Sequence, residues 1–243
     1  MFRIVLQGLG ERAGTTMVAV SLAYSLSRNQ HRTLFIDAHP SCTGAGWILT
    51  GEQNKNGWIN CSGDILKNAF RCAGCLWYLP SGSASAGIQS ASPLRERIQT
   101  LYSITGALSL DYIIIDGGQR GSEPAEISAE YADMVITLLE PDPNSLLQLN
   151  STKPADNEYL LINKYDHRSM IMKDIEIFLR SSSFRDRLLS AVIPLDEFVP
   201  AAFLSQKPVT AFVPFAASSV EIDKIIVDLL LHGDSTGSEK NHE

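Results

Sequence analysis

The residues best suited to chemistry lie in the first loop of the chain, between an apolar run at Phe2–Leu6 and a helical pattern at Met17–Arg28. The loop reads Gln-Gly-Leu-Gly-Glu-Arg-Ala-Gly-Thr-Thr over residues 7–16. A strand, a glycine-containing loop and a helix N-terminus in this order attract anions, because backbone N–H groups and the helix dipole converge there. The sequence therefore predicts a phosphate-binding loop. The residues predicted to bind nucleotide in it are Gly10, Arg12, Ala13, Gly14, Thr15 and Thr16.

This loop departs from the usual pattern Gly-x-x-x-x-Gly-Lys-Ser/Thr, with Gly8 or Gly10 as its first glycine and Gly14 as its second. Thr15 stands where the lysine that contacts the β- and γ-phosphates is expected. Gly14 still allows the backbone to approach a phosphate closely, and Thr16 still offers a hydroxyl for Mg²⁺. We therefore interpret the loop as a degenerate Walker A motif, in a nucleotide-binding fold with a compromised site.

Two aspartates are predicted to complete a magnesium site. Asp37 ends the apolar run Thr33–Ile36, and Asp116 ends the run Tyr112–Ile115. Open α/β sheets bind ligands at the carboxyl ends of their strands, and a carboxylate there can hold Mg²⁺ through water. An aspartate that closes a buried strand can equally cap a turn or a helix. Taken together, Thr16, Asp37 and Asp116 are the candidate Mg²⁺ ligands, and the two aspartates are also the candidate catalytic residues.

A further candidate is Asn163, in the sequence Leu-Ile-Asn-Lys-Tyr-Asp over residues 161–166. An asparagine at the end of a strand suits the edge of a purine base. The same residues also fit an ordinary turn, and the pattern from Asn163 to Asp166 suggests a guanine-specific switch as a third alternative. Competition between ATP and GTP distinguishes the two nucleotide alternatives.

The elements that position these residues alternate between strands and helices. Such alternation predicts a single α/β domain with a doubly wound, mostly parallel sheet, of the P-loop NTPase type. The predicted strands are Phe2–Leu6, Thr33–Ile36, Leu76–Leu79, Tyr112–Ile115, Met134–Leu139, Tyr159–Ile162 and Ala191–Ile193. The predicted helices are Met17–Arg28, Leu94–Leu108, Met170–Arg180 and Val220–Leu231.

The predicted domain covers residues 1–232 and contains an irregular insertion at 41–92. The insertion is expected to be a surface loop with one short helix around Gly63–Phe70, or else a switch or partner surface. Residues 233–243 are polar and rich in Gly and Ser, and are expected to form a disordered tail.

Composition narrows the functional classes. The chain has 243 residues, of which 44% are hydrophobic, so it can bury a large core. Its formal net charge of −7 argues against a surface that coats nucleic acid. The sequence lacks the run of about eighteen apolar residues that a membrane-spanning helix needs, and it lacks a secretion signal, so a cytoplasmic protein is predicted. Acidic residues on Val220–Leu231 favour packing on the sheet over membrane binding, so recruitment to the inner membrane is expected only through partners.

Four cysteines, at positions 42, 61, 72 and 75, lie within 34 residues. Cys72 and Cys75 have the spacing of half a zinc site or of a redox pair. A structural zinc site needs a second pair of ligands, and His31 and His39 are not spaced as one. Structural or incidental thiols are the main interpretation, with a metal site and a redox pair as alternatives.

The order of these motifs resembles the MinD/ParA group of deviant P-loop ATPases, and within it the BcsQ family associated with bacterial cellulose secretion. The resemblance runs from Phe2 to about Leu231. The matching segments are Gln7-Gly8, Gly14-Thr15-Thr16, Phe35-Ile-Asp37-Ala38 with Pro40, Leu79-Pro80, Ile113-Ile-Ile-Asp116, Leu161-Ile-Asn163, Ile193-Pro194-Leu-Asp196 and Lys207-Pro208-Val209. BcsQ-like proteins also carry Gly-Thr-Thr where the wider group has Gly-Lys-Thr.

The resemblance implies ATP and Mg²⁺ as cofactors, a face-to-face homodimer around two nucleotides, and partners in an inner-membrane cellulose synthase and secretion complex. It also exposes differences. The group carries a basic signature residue followed by two glycines, where this chain has Gly10, Glu11 and Arg12. The cross-subunit basic residue is then Arg12, shifted by two positions. His39 occupies a switch position that is often acidic in the wider group.

Three functional hypotheses follow from this resemblance. The first is a nucleotide-stabilised scaffold dimer with slow or absent hydrolysis, acting as an accessory or regulatory subunit of the secretion system. The second is a working ATPase switch of the partition or division-site type. The third is a pseudo-ATPase that binds no nucleotide and acts as an interaction module.

Overall fold

The computed structural model describes residues 1–38, 44–52, 56–61, 63–82, 94–151 and 154–237, with side chains in the last helix described as far as 229. These residues form one eight-stranded sheet with the order β3-β4-β2-β5-β1-β6-β7-β8. All neighbouring strands run parallel except β3, which is antiparallel to β4 at one edge. The strands are β1 Phe2–Gly8, β2 Thr33–Asp37, β3 Phe70–Ala73, β4 Leu76–Leu79, β5 Tyr112–Gln119, β6 Met134–Leu139, β7 Glu158–Tyr165 and β8 Leu188–Pro194.

Helices cover both faces of this sheet. They are α1 Thr15–Arg28, α2 Gly44–Thr50, α3 Leu94–Gly106, α4 Glu123–Ala129, α5 Pro143–Ser151, α6 Met170–Ser181, α7 Phe198–Leu204, α8 Val209–Phe212 and α9 Ala217–Gly237. One apolar core packs α1 and α9 against one face, and a second packs α3 and α4 against the other. A third core joins α5 and α6 to β6 and β7. The predicted doubly wound, mostly parallel α/β fold is confirmed.

The chain changes direction across the sheet at β1, which lies between β5 and β6. Strands β2, β3, β4 and β5 lie on one side of β1, and strands β6, β7 and β8 lie on the other. Ligands bind open α/β sheets in the crevice outside the carboxyl ends of the strands at such a switch point. The topology therefore places the candidate site at the end of β1, where the glycine-containing loop begins.

All seven predicted strands lie within observed strands, and the four predicted helices overlap α1, α3, α6 and α9. The short helix predicted around Gly63–Phe70 is a 3-10 helix at Ile65–Asn68, after which the chain enters β3, an unpredicted strand. Residues 39–43, 53–55, 62 and 83–93 lie outside the described residues. They include His39 and Pro40, just before the irregular insertion, and Cys42 within it.

The insertion contributes to the core through Trp58. This side chain is fully buried, and its indole Nε1 donates a hydrogen bond to the carbonyl of Asp37, at 2.8 Å. Helix α9 packs on the sheet, as expected for the C-terminal helical pattern, and it runs to Gly237, so that the domain boundary expected at residue 233 falls inside it. Residues 238–243 lie outside the described residues.

Carboxylates from α9 cover the outer edge of β8. Asp228 accepts hydrogen bonds from the Ser190 backbone N–H and hydroxyl, and Glu221 accepts one from the backbone N–H of Val192, at 3.0 Å. An open edge strand presents unpaired N–H groups that invite pairing with another chain. Asp228 and Glu221 therefore satisfy N–H groups of this edge, which gives these two residues a structural role.

Candidate phosphate-binding site

The loop between β1 and α1 leaves a helix N-terminus without a side-chain cap. Gly14 is the N-cap residue, in the left-handed conformation with φ of 87°, and α1 begins at Thr15. The first N–H groups of an α-helix have no partner within the helix, and the first turn of α1 contains no acidic residue. Their partial positive charge suits a phosphate or another anion at this point.

Side chains at the end of β7 hold this loop from one side. The Asn163 amide nitrogen Nδ2 donates to the carbonyl of Ala13 at 2.7 Å, and the Lys164 Nζ donates to the carbonyl of Arg12 at 2.6 Å. In a planar trans peptide the carbonyl and the following N–H point in opposite directions. The two contacts therefore turn the N–H groups of Ala13 and Gly14 away from β7.

Gly14 is required at its position for two reasons. Its φ is in the left-handed region, where side chains are strained, and a Cβ there would lie 2.6 Å from the Asn163 Nδ2. Arg12 also has a left-handed backbone, with φ of 58°, which is uncommon for a residue that is not glycine. The loop is therefore bent tightly and packed against β7.

The two candidate aspartates are neighbours at the carboxyl edge of the sheet. Asp37 on β2 is in register with Asp116 on β5, and β5 in turn pairs with β1. Their exposed fractions are 1% and 0%. The Asp116 Oδ1 accepts a hydrogen bond from the backbone N–H of Gly118 at 3.1 Å. The structure therefore brings the two carboxylates together beside the strand that carries the loop.

A cavity of about 570 Å³ opens in front of the loop. Residues 10–17 form one wall, and Gly118 and Gln119, which follow Asp116, form another. Ile48 of α2 and Phe203 of α7 contribute apolar surface. This volume lies within the range of small-molecule and cofactor pockets. Sequence reasoning missed these wall residues: Gly118 and Gln119 lie just after Asp116 but were not singled out, and no motif marks Ile48 or Phe203.

Glu11 and Arg12 both line this cavity with exposed side chains. The Arg12 carbonyl accepts a hydrogen bond from Lys164, and Arg12 as a residue is exposed to solvent. Thr15, which occupies the place of the usual lysine, is buried. Thr16 lies in the first turn of α1 and lines the cavity. All six predicted loop residues therefore meet at one cavity.

A smaller cavity of about 150 Å³ adjoins Gly14 on the β7 side. Asn163 and Lys164 line it together with Pro194 at the end of β8 and Asp196 just after that strand. Burial favours a raised pKa for Asp196, but hydrogen bonds from the Phe198 N–H and from Ser218 outweigh it and lower the pKa. Asp196 is therefore a fixed carboxylate that anchors the start of α7 and α9.

Asn163 and Asp166 make different contacts: Asn163 contacts the loop, whereas Asp166 contacts the turn before α6. Asn163 is buried, and its amide nitrogen is engaged with the loop. Asp166 accepts from the backbone N–H of Arg168 at 2.9 Å and pairs with the Arg168 guanidinium, so it closes an exposed turn before α6. These contacts fit the turn alternative for Asp166, whereas the purine-edge role of Asn163 stays a prediction.

The described cysteines, Cys61, Cys72 and Cys75, are free thiols. Burial raises the pKa of Cys72 to about 11, so its thiol stays protonated at neutral pH. Within the described ranges, His, Cys, Asp and Glu side chains form no group of three that could hold a metal ion. In the same part of the chain, none of the helices is long and apolar enough to cross a bilayer.

Comparison with known proteins identifies the fold. MinD of Pyrococcus horikoshii, solved with Mg-ADP, superimposes with a TM-score of 0.74 at 17% identity, covering 94% of this chain and 95% of that one. A ParA family ATPase of Chlorobium tepidum gives a TM-score of 0.75 at 21% identity, covering 92% and 96%. MinD in the Aquifex aeolicus MinC:MinD complex gives 0.74 at 18%, covering 92% and 93%.

A sequence comparison with curated proteins gives no match. The family model of the cellulose biosynthesis protein BcsQ matches residues 1–228, which is nearly the whole chain. The resemblance drawn from the motifs is thereby confirmed, and so is the MinD/ParA-like P-loop fold. The chain belongs to the BcsQ family of cellulose biosynthesis proteins.

Proposed function

We propose that this protein is an accessory or regulatory subunit of a bacterial cellulose secretion system, and that it acts as a nucleotide-stabilised dimer with slow or absent hydrolysis. The observation that carries the proposal is the uncapped N-terminus of α1 beside a loop whose carbonyls are held by Asn163 and Lys164. A pre-organised set of N–H donors binds an anion without reordering the chain.

The nucleotide is assigned to the two adjoining cavities. The phosphates would lie in the larger cavity, against Gly14, Thr15 and Thr16. Thr16, Asp37 and Asp116 would hold Mg²⁺, which neutralises phosphate charge when it is bound. The adenine would lie beside Asn163 at the smaller, largely apolar cavity.

Slow hydrolysis is expected because the usual phosphate-binding cation is missing. Thr15 is neutral, and Lys164, the cation on the other side of the loop, donates to the Arg12 carbonyl and lies 3.5 Å from the Glu140 carboxylate. Phosphoryl transfer depends on positive charge that stabilises the transferred group. The exposed Arg12 side chain is the remaining cation of the loop, and in a face-to-face dimer we assign it to the nucleotide of the partner subunit.

A structural relative from the MinD/ParA group provides an analogy for how this protein would bind partner subunits. The Aquifex aeolicus structure is a complex of MinD with another cell division protein, MinC. By analogy, the dimer of this protein would present a surface to other subunits of the cellulose synthase and secretion complex. Recruitment to the inner membrane would then depend on those subunits.

Light scattering with and without Mg-ATP tests this proposal. The expected result is a shift from monomer to dimer with Mg-ATP, together with little release of inorganic phosphate. Arg12→Ala should keep nucleotide binding and lose the nucleotide-dependent dimer, whereas Arg168→Ala, on an exposed turn outside the cavity, serves as the matched control. A mass that does not change with Mg-ATP would contradict the proposal. Steady turnover that Asp37→Ala abolishes would instead favour an active ATPase switch.

One observation favours a second candidate, a pseudo-ATPase that binds no nucleotide. Glu11 places a carboxylate on the wall of the cavity that is assigned to the phosphates. At about 8 Å and an effective dielectric constant near 20, the repulsion is about 2 kcal/mol per unit charge. Calorimetry with Mg-ATP on the wild type and on Glu11→Gly/Arg12→Gly separates the candidates. Binding that appears only in the double variant would favour the pseudo-ATPase.

A further inference from the structure

A partly buried ion pair links Arg120, directly after β5, to Glu158 at the start of β7, with β1 and β6 lying between these two strands. The Arg120 guanidinium contacts both carboxylate oxygens of Glu158, with Nε–Oε1 at 2.9 Å and Nη2–Oε2 at 3.0 Å. The exposed fractions of the two side chains are 19% and 5%. Two parallel N–H···O contacts of this kind fix both the distance and the orientation of the guanidinium.

Other polar groups on the sheet satisfy the remaining capacity of the Glu158 carboxylate. The Thr137 hydroxyl donates to Oε1 at 2.6 Å, and the Ala155 backbone N–H donates to Oε2 at 3.1 Å. Gln7 of β1 donates to the Thr137 hydroxyl at 2.9 Å. Burial favours a raised pKa for Glu158, but the hydrogen bonds from Arg120 and Thr137 outweigh it and lower the pKa. The carboxylate is therefore charged, and β1, β6 and β7 all contribute to its fixation.

The segment that Arg120 anchors forms a wall of the phosphate cavity. Gly118 and Gln119 immediately precede Arg120 and line the cavity. Backbone hydrogen bonds also hold the segment, from the Arg120 N–H to the Gly8 carbonyl at 2.9 Å and from the Gly118 N–H to Asp116. Gly118 and Gly121 both have left-handed backbones, with φ of 75° and 83°. Two conformationally permissive residues thus flank the segment that the ion pair holds.

An ion pair that is largely shielded from water contributes little to stability by itself. Removing two charges from water costs several kcal/mol per ion, and apolar residues of similar volume are often at least as stabilising. The neighbouring positions on this face of the sheet, such as Val5 and Val135, are apolar and pack in the core with α3 and α4. The two-point contact between Arg120 and Glu158 is therefore better explained by the chain segment that it holds in place, which includes Gly118 and Gln119.

We propose that Arg120 is a positioning residue for the nucleotide site, which holds the Gly118–Gln119 wall of the phosphate cavity in place through its contact with Glu158. The proposal rests on the proposed function for the presence of nucleotide, but the positioning itself is a property of the protein without nucleotide. Because Glu158 and Asn163 both belong to β7, the same strand fixes the wall through one residue and the loop carbonyl of Ala13 through the other.

The test compares two arginines that both anchor to the start of β7. Arg120→Ala removes the contact to the cavity wall. Arg187→Ala is the matched control, since the Arg187 guanidinium donates to the backbone carbonyl of Glu158 at 3.2 Å but comes from the short helix before β8, away from the cavity. Arg120→Lys keeps the charge and loses the two-point contact. Arg120→Ala/Glu158→Gln removes both charges, which guards against unfolding caused by an uncompensated carboxylate.

Hydrogen exchange of residues 117–122 is measured without nucleotide, and Mg-ATP affinity is measured separately. Arg120→Ala and the double variant should exchange these amides about tenfold faster than wild type and bind Mg-ATP about tenfold more weakly, with Arg120→Lys in between. Arg187→Ala should stay within about twofold on both readouts. Equal exchange in Arg120→Ala and Arg187→Ala would overturn the positioning role. A wild type that binds no nucleotide, with exchange altered as expected, would instead count against the proposed function.

Discussion

Replacing Gly14 with alanine tests whether the loop between β1 and α1 needs a left-handed residue at position 14 and the hydrogen bond from Asn163 to the Ala13 carbonyl. An alanine held at the φ of 87° seen at Gly14 has a strained left-handed backbone, which destabilises the folded state by about 1–2 kcal/mol. Its Cβ would also lie 2.6 Å from the Asn163 Nδ2, so the Asn163 side chain must shift, and we expect its hydrogen bond to the Ala13 carbonyl to be lost. An unsatisfied buried group costs a further 1–3 kcal/mol or so. We therefore expect Gly14→Ala to lower the free energy of unfolding by about 2–5 kcal/mol.

Chemical denaturation without nucleotide measures this loss. Gly10→Ala is the matched control, because a Cβ at Gly10 meets no atom within 4 Å and the backbone there is not left-handed. Asn163→Ala removes the partner of the clash, so the loss in Gly14→Ala/Asn163→Ala should be smaller than the sum of the two single losses. Strict additivity, or a Gly14→Ala protein as stable as Gly10→Ala, would refute the described loop.

Three further predictions concern charge and reactivity. Glu11→Gln should tighten Mg-ATP binding by about 2- to 30-fold, the range given by effective dielectric constants between 80 and 20 at about 8 Å, and calorimetry giving equal affinities would contradict this. Cys72 should be alkylated more slowly than Cys61 at pH 7.5, because burial raises its pKa to about 11, and equal rates by mass spectrometry would contradict this. Since the pKa of Glu158 is lowered on folding, its contribution is present above the unfolded value of about 4.3 and is lost as pH falls through the folded value. The stability difference between wild type and Glu158→Gln should therefore shrink below pH 4, and a difference that stays constant from pH 7 to pH 3 would contradict this.

The central strands that position the site could be predicted from the sequence because they are buried on both faces of the sheet. β1, β5 and β6 consist largely of apolar residues between turn residues, and the aspartates follow such runs directly. β3 was missed because Phe70–Ala73 is an exposed edge strand without an apolar run or clear alternation. The short helices α2 and α5 were missed because they contain few residues with a helical period, and α2 begins in a glycine-rich stretch.

The contacts that shape the site depend on long-range geometry. Asn163 was selected as a residue at a strand end, but its contact with the Ala13 carbonyl joins residues 150 positions apart. The Arg120–Glu158 pair likewise joins a loop to a strand elsewhere in the sheet. Sequence spacing carries no signal for such pairs, because strand order and register bring them together. The residue types of the site were therefore predictable, whereas the way the loop is held was not.

Titration calorimetry of the full chain with Mg-ATP tests the central claim most directly, namely that the loop between β1 and α1 is a pre-organised nucleotide site despite Thr15. We expect saturable heat that corresponds to one nucleotide per chain and that is lost in Gly14→Ala. The absence of saturable heat at millimolar Mg-ATP, or unchanged binding in Gly14→Ala, would contradict it.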